Sequence, residues 1–272
     1  MKTSVVITLL NDWRVFRTIA SLLNQTRKPD EIIIADGGSD KRLLDALHNI
    51  NAENMKIYVL PGSVAETRNK VLKKIGGDIV VFIDADEVAP FSWLQKLIKP
   101  IEDERADFTG GGTLPLYSPR TKIEEFVVNF DKWFYENVVK NDITALPMGN
   151  SAWKMEIFDI VGGFDERLRW GGEDYDINLR AVQAGFRGMY VEDAWVWHDQ
   201  SHLNTIWKVI KKKYRYSVGA TVAYLKNNAF SNKKRTAVKT SVMYKHPIEF
   251  LNLGVKAVAF IRGWHEWRRM EK

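Results

Sequence analysis

The sequence predicts an α/β protein with a mostly parallel central sheet and a helical C-terminal extension. Three observations carry this. Short apolar runs alternate with helical patterns through residues 1–100. Acidic or glycine-rich residues end those runs. Residues 201–272 show helical patterns only, with a strong positive charge. Strands joined by helix-length segments need crossover connections, which are right-handed and give parallel neighbours.

SVVITLL (4–10) is an apolar run closed by Asn11-Asp12, and reads as a buried strand. Residues 12–24 place Val15, Ile19, Leu22 and Leu23 at helical spacing. EIIIA (31–35) is a second strand, stopped by Asp36-Gly37-Gly38. Leu43, Leu44 and Leu47 mark a helix over 40–49, with Ser39 a candidate cap. MKIYVL (55–60) is a third strand, 64–75 a helix and DIVVFI (78–83) a fourth strand. Beyond residue 100 the alternation breaks. DFTGGGTLPLY (107–117) reads as a strand with a glycine kink, and 122–138 as an aromatic-rich amphipathic helix. GNSAWKM (149–155) reads as short and extended. GGED opens a helix over roughly 173–184, and RGMYV and AWVWH (187–198) are two short strands.

The 272 residues are 45% hydrophobic, enough for one large α/β domain with an appendage. The absence of cysteine excludes disulfides and thiolate metal sites. The N-terminal apolar run is too short for a signal peptide, and no apolar run approaches the roughly 20 residues that span a bilayer. Together these predict a cytoplasmic protein. The net charge of +6 is uneven: residues 200–272 carry 16 Lys+Arg against 3 Asp+Glu, and residues 1–199 carry 24 against 31. An acidic body suits a cation, and a basic tail suits an anionic surface.

The candidate chemistry lies where strands end. Ligands of open parallel sheets bind at the carboxyl ends of the strands. Asp36 stands there, able to accept hydrogen bonds from a nucleoside or simply to order a turn. In VVFIDADE (80–87), Asp84 and Asp86 alternate along an extended chain and so point the same way. Like charges this close call for a proton or a cation between them, and Mg²⁺ and Mn²⁺ favour such oxygen ligands. The alternative is a solvated turn. In WGGEDYDINLR (170–180), Glu173 and Asp174 open a helix, where they can favour the helix dipole or serve as a general base. Gly171 and Gly172 permit a tight turn or close approach by a ligand. Trp170 and Trp153 can stack on a sugar or pack in the core. His198 closes VWH at a strand end.

The ordered set EIIIADGGSD, ETRNKVLKKIGGDIVVFIDADE, GGFDERLRWGGEDYDINLRAVQAGF and VWH resembles family 2 glycosyltransferases over roughly residues 4–198. The resemblance implies the GT-A fold, a nucleotide-binding α/β sandwich, and transfer from a nucleotide-diphosphate sugar with inversion, aided by Mn²⁺ or Mg²⁺. It implies that Asn11, Asp36, Arg68 and Asp84 bind the nucleotide, Asp36 at the base. Arg68 would lie near the nucleotide or support Asp84. Asp86 and His198 would ligate the metal. Asp174, with Glu173 beside it, would be the catalytic base, and Trp170, Gly171 and Gly172 would meet acceptor or sugar. Residues 1–200 would form the catalytic domain, with a nucleotide-sugar half over about 1–115 and an acceptor half over about 116–200. Two departures are visible: Leu9-Leu10-Asn11-Asp12 lacks the family's proline, and Asp36-Gly37-Gly38 replaces Asp-Asp-Gly. Asp36 favours a UDP- over a GDP-sugar. The acceptor implied is a hydroxyl or phosphate group, on a glycan or a lipid-linked molecule.

Rival readings have signatures too. A sugar-nucleotide nucleotidyltransferase needs a glycine-rich basic loop after the first strand, which TLLNDWRVFR lacks. A glycoside hydrolase needs two opposed carboxylates and does not account for a nucleotide-type sheet. A non-catalytic nucleotide-sugar or lipid-phosphate binding module would keep the fold without turnover. In the extension (201–272), Trp207, Ile210, Tyr214, Val218 and Leu225 form one helical stripe, with lysines on other faces. IEFLNLGVKAVAFIRGWHEWRR (248–269) is apolar but broken by Glu249, Lys256 and Arg262. These predict attachment to an anionic membrane, at the inner face of the cell membrane, or else packing on the body or a homodimer. No nucleic-acid reading motif accompanies the charge.

Overall fold

The computed structural model describes residues 1–227 and 247–270. Its centre is a seven-stranded sheet. Strands β1 (Thr3–Leu9), β2 (Glu31–Asp36), β3 (Met55–Val59) and β4 (Ile79–Asp84) are the four expected apolar runs. They lie parallel in the order β3-β2-β1-β4. Residues Ile32 to Ala35 and Val5 to Ile7 are fully buried because both faces of the sheet are covered. Val5, Ile7 and Leu9 pack on one face with helices α1 (Val15–Leu23) and α2 (Lys41–His48). Val6, Val80 and Phe82 pack on the other with α3 (Val64–Leu72). The period of two thus divides each run between two cores.

The register sets the site. Leu9 pairs with Asp36 and Thr8 with Asp84, so the two carboxylates leave the sheet at one edge, on either side of β1. The chain then turns at Ala85-Asp86 into β5 (Glu87–Val88), which starts a second, three-stranded sheet. The turn corrects the expectation that the chain stays extended from Asp84 to Asp86.

Helix α4 (Trp93–Glu102) packs beside α1 and was not expected, since Pro100 interrupts its pattern. The glycine kink is real and separates two sheets. Strand β6 (Phe108–Gly110) joins the large sheet, and β7 (Thr113–Pro115) joins the small one. At the bend, a Cβ on Gly111 would collide with the Ala194 carbonyl. Helix α5 (Lys122–Phe134) runs into a π-helical turn at Tyr135–Val139. The extended segment becomes β8 (Asn150–Lys154), central and antiparallel to both β4 and β6, and leads into α6 (Met155–Val161). Helix α7 (Glu173–Gln183) joins α3 and α6 on their face of the sheet. Strand β9 (Gly188–Tyr190) closes the large sheet beside β6, and β10 (Val196–His198) lies between β5 and β7.

Among the described residues of the extension, α8 (Ile206–Lys226) and α9 (Pro247–Met270) pack on each other, with α8 also against α7. The expected stripe is only partly buried. Val218 and Leu225 are inside with Val209 and Val222, whereas Trp207 is 76% exposed. Glu249 lies outside the residues whose side chains are described. No helix among the described residues is long and apolar enough to cross a membrane.

Candidate functional site

Asp36 ends β2 fully buried. Its Oδ2 accepts hydrogen bonds from the backbone N–H groups of Gly38 (3.0 Å) and Ser39 (2.9 Å). Its Oδ1 is buried with no hydrogen-bond partner among the described residues. A buried acceptor left open costs stability unless a ligand completes it. Asn11 adopts a left-handed conformation (φ 51°) that asparagine tolerates, and its side chain is used internally. Its Oδ1 accepts from Asp40 N–H at 2.8 Å, and its own N–H donates to Ser39 Oγ at 2.7 Å. Ser39 therefore does not cap α2. Asp40 does, accepting from Leu43 N–H at 2.9 Å.

The acidic turn splits its carboxylates between two sets of cations. Asp84 faces the α3 side, 3.8 Å from the Arg68 guanidinium. Its side chain is 44% open yet lies in a recess, where burial pushes its carboxyl above the usual range and Arg68 pulls the other way. Gly149 lines that recess: a Cβ there would come within 2.5 Å of Asp84 Oδ2. Asp86 lies on the side of His198 and Arg14. Its Oδ2 lies 3.4 Å from His198 Nε2 and 3.3 Å from Arg14. Burial opposes its charge, but His198, Arg14 and His202 together hold its carboxyl below the usual range. The third carboxylate, Glu87, is buried and accepts from Asp84 N–H at 3.1 Å. Burial, then the charges of Asp84 and Asp86, raise its carboxyl well above the usual range, which favours the neutral acid.

Helix α7 delivers the remaining carboxylates. Gly171 (φ 102°) and Gly172 (φ 87°) hold left-handed conformations that side chains resist, so the chain enters the helix sharply. Glu173 pairs with Arg68 at 3.0 Å. Arg68, itself 5% exposed, thereby spans from the β4 tip to the start of α7, with its guanidinium near the rings of Phe82 and Phe164. Asp174 is the neighbour without a cation of its own. Burial and then Glu173 push its carboxyl up to about 7, while Tyr175 N–H donates to its Oδ1 at 2.8 Å. The structure thus brings Asp84, Arg68, Glu173 and Asp174 to one cleft, with Asp86 and His198 at its far side.

The residues present fit a hard divalent cation of the kind that takes one or two side chains and completes its shell with phosphate oxygens. Asp86 and His198 are the adjacent pair. No group of three or more His, Asp or Glu among the described residues forms a complete protein cage. The Gln200 amide nitrogen lies 2.9 Å from His198 Nδ1 and 2.5 Å from Asp131 Oδ2, while Gln200 Oε1 is buried without a partner. With the amide as it stands Nδ1 is the acceptor; binding a metal through Nε2 would require the ring proton to sit on Nδ1 and Gln200 to turn, giving up its bond to Asp131.

The sequence missed several neighbours. Arg14 binds Asp12 through two nitrogens and donates to the Asp199 carbonyl, and Arg17 pairs with Asp199. Asp12 and Arg14 are near neighbours in the chain, but both arginines meet Asp199 only through folding, and no motif marks them. Trp170 packs edge-on to Tyr214 (6.3 Å between centroids), with Arg262 5.6 Å from its ring centroid. Trp153 is a core residue: it is fully buried and stacked on Phe108 at 4.4 Å. A cavity of about 890 Å³ lies beside the cleft and meets the sequence-predicted site residues only at His198; Tyr117, Tyr135 and Trp195 line it.

Residues 4–156 match the profile of "Glycosyl transferase family 2". The chain is 27% identical over 240 residues to the Bacillus subtilis (strain 168) glycosyltransferase YfnE, covering 68% of this chain and 61% of that one. It therefore spans about three fifths of that relative. Among solved structures, the mannosyltransferase PcManGT from Pyrobaculum calidifontis, in complex with GDP-Man and Mn²⁺, superposes with a TM-score of 0.63 at 17% identity. That match covers 95% of this chain and 73% of PcManGT. GalNAc-T7 with UDP, GalNAc and Mn²⁺ gives 0.60 at 19% identity, covering 83% of this chain and 48% of that one. Likeness at this identity speaks for the shared GT-A fold.

Proposed function

Because the chain belongs to glycosyl transferase family 2, we propose that it transfers a sugar, with inversion, from a nucleoside-diphosphate sugar to an acceptor hydroxyl in glycan or glycolipid assembly. The observation that carries this is the shared cleft. Arg68 bridges Asp84 and Glu173, and beside them stands Asp174, the carboxyl that burial pushes up to about 7. Paired carboxylates with different surroundings divide binding from base chemistry.

In this reading the open Oδ1 of Asp36 takes a donor N–H from the base, which suits uracil. Arg68 holds Asp84 toward the ribose. Asp86 and His198 hold Mn²⁺ or Mg²⁺, which when bound neutralises charge on the leaving diphosphate. Asp174 takes the proton of the acceptor hydroxyl as its oxygen forms a bond to the anomeric carbon. The bond from that carbon to the diphosphate oxygen breaks, and the electron pair leaves with the nucleoside diphosphate. One displacement inverts the centre. What structural neighbours hold supports a nucleotide donor and a divalent metal: the PcManGT structure contains GDP-Man with Mn²⁺, and the GalNAc-T7 structure UDP and GalNAc with Mn²⁺.

The test is release of UDP or GDP when the protein meets a panel of nucleotide sugars, Mn²⁺ and candidate glycan or lipid-linked acceptors. Acceptor-stimulated release is expected. Tight nucleotide-sugar binding with no release under any acceptor would favour a non-catalytic binding module instead.

A further inference from the structure

Helix α8 belongs to the stretch that the sequence sets apart as a basic tail, yet its middle is locked to the loop that carries Asp174. Gly219 lies so close to Gly171 and Gly172 that a Cβ on Gly172 would come within 2.5 Å of the Gly219 carbonyl carbon. That backbone contact fixes which side of α8 faces the cleft. Tyr216 stands one turn earlier, its ring 3.7 Å from where a Gly171 Cβ would be. Lys212 stands one turn before that, its ammonium 5.8 Å from the Tyr216 ring centroid. Positions 212, 216 and 219 fall on one face of a helix.

Beyond this mutual contact, neither polar group has a hydrogen-bond or ion-pair partner among the described residues. Tyr216 is 55% exposed, and no hydrogen bond to its hydroxyl forms among the described residues. Burial and the carboxylates of Asp174, Asp84, Glu173 and Asp86, in that order, raise its phenol, so it stays a neutral donor. Lys212 enters no ion pair among the described residues, although its charge acts on Glu87 and on His202, which flank Asp86. An ammonium and a phenol on one helix face, turned to a carboxylate-lined cleft, form a donor set for an anion carrying hydroxyl groups.

We propose that α8 supplies a wall of the donor site: Lys212 contacts the diphosphate of the nucleotide sugar, and Tyr216 donates a hydrogen bond to the sugar being transferred. This rests on the glycosyltransferase reading and extends it to a segment that the motifs leave out. It makes the extension part of the catalytic body, and it gives the leaving diphosphate a protein cation as well as a metal.

Calorimetry on the full chain with Mn²⁺ tests it, using UDP, GDP, the matching monophosphates and the nucleotide sugar that the unmodified protein binds. Lys212→Met is expected to weaken diphosphate binding about tenfold, as the loss of one charge-assisted contact implies, with monophosphate binding little changed. Lys212→Arg should restore most of that affinity. Tyr216→Phe should keep diphosphate affinity and weaken nucleotide-sugar affinity about fivefold. Diphosphate binding by Lys212→Met at unmodified strength would overturn the Lys212 contact. So would an equal loss for mono- and diphosphate, which would mark a displaced helix. Unchanged nucleotide-sugar affinity in Tyr216→Phe would remove the tyrosine. If the unmodified protein binds neither UDP nor GDP, the glycosyltransferase reading fails first, and this wall fails with it.

Discussion

Asp174 shows how one side chain ties pH to both turnover and stability. A base must be ionised to accept a proton, so kcat should rise with pH through about 7, where burial and Glu173 place its carboxyl. The stability effect has the opposite sign. Between about pH 4 and 7 the folded state keeps this proton while the unfolded state has lost it, so stability falls as pH rises through that window. Asp174→Asn removes both effects. We expect a loss of about 10²–10⁴ in kcat with nucleotide affinity retained, and a higher Tm than the unmodified protein at pH 8. That Tm gain should vanish near pH 4. Undiminished turnover would remove Asp174 from the base role. Asp86 makes a separate prediction. It is held ionised by His198, Arg14 and His202, so Asp86→Ala should abolish the Mn²⁺ dependence of UDP or GDP binding. Calorimetry with and without Mn²⁺ would show the two titrations coincide; a preserved difference would move the metal elsewhere.

At the scale of elements, the loop before α7 is where a small change should travel furthest. Gly172 combines φ 87° with backbone contact to Gly219. Gly172→Ala adds a strained conformation, about 1–2 kcal/mol, and pushes α8 off the loop. Urea unfolding should register that cost or more, and kcat should fall with it because Glu173 and Asp174 directly follow the strained loop at the start of α7. A stable, fully active variant would mean the loop relaxes freely. The same elements show what was legible in the chain. Strands β1, β2 and β4 are apolar runs because both faces are buried, whereas β3, at the sheet edge, is only half-buried; the last residues of β2 and β4 are the carboxylates Asp36 and Asp84. Strand β8 was harder to recognise. It is central, yet Asn150 and Ser151 are polar and fully buried, satisfied by the Gly112, Ala194 and Met148 carbonyls. Helix α4 was hidden by Pro100. Asp36, Asp84, Asp86, Asp174 and His198 stand out in the sequence because each lies at or beside the end of a strand or the start of a helix, and Glu87 follows Asp86 in the same run. Arg14 and Tyr216 do not, because only tertiary contact brings them to the cleft.

At the scale of the whole molecule, positive charge is segregated to the C-terminal region, and exposed apolar side chains stand among it. The region from residue 200 onward carries 16 Lys+Arg against 3 Asp+Glu, while the rest of the chain is net acidic. On α9, Val258, Phe260 and Ile261 are all at least half exposed, and on α8 Trp207 is 76% exposed. Apolar side chains beside lysine and arginine suit the headgroup region of an anionic bilayer, where each basic residue contributes roughly 1 kcal/mol. A lipid-linked acceptor would then be presented near the end of the molecule that carries α8, the helix locked to the Asp174 loop. The protein should sediment with vesicles containing anionic lipid at low salt, and most of it should be released at about 0.5 M NaCl, where charges more than a few ångströms apart are screened. Phe260→Ser together with Ile261→Ser should lower the fraction that remains bound at high salt without shifting the salt midpoint, since those side chains contribute burial rather than charge. Equal sedimentation with neutral and anionic vesicles would sink the electrostatic attachment, and the basic face would then have to be explained by contacts with protein.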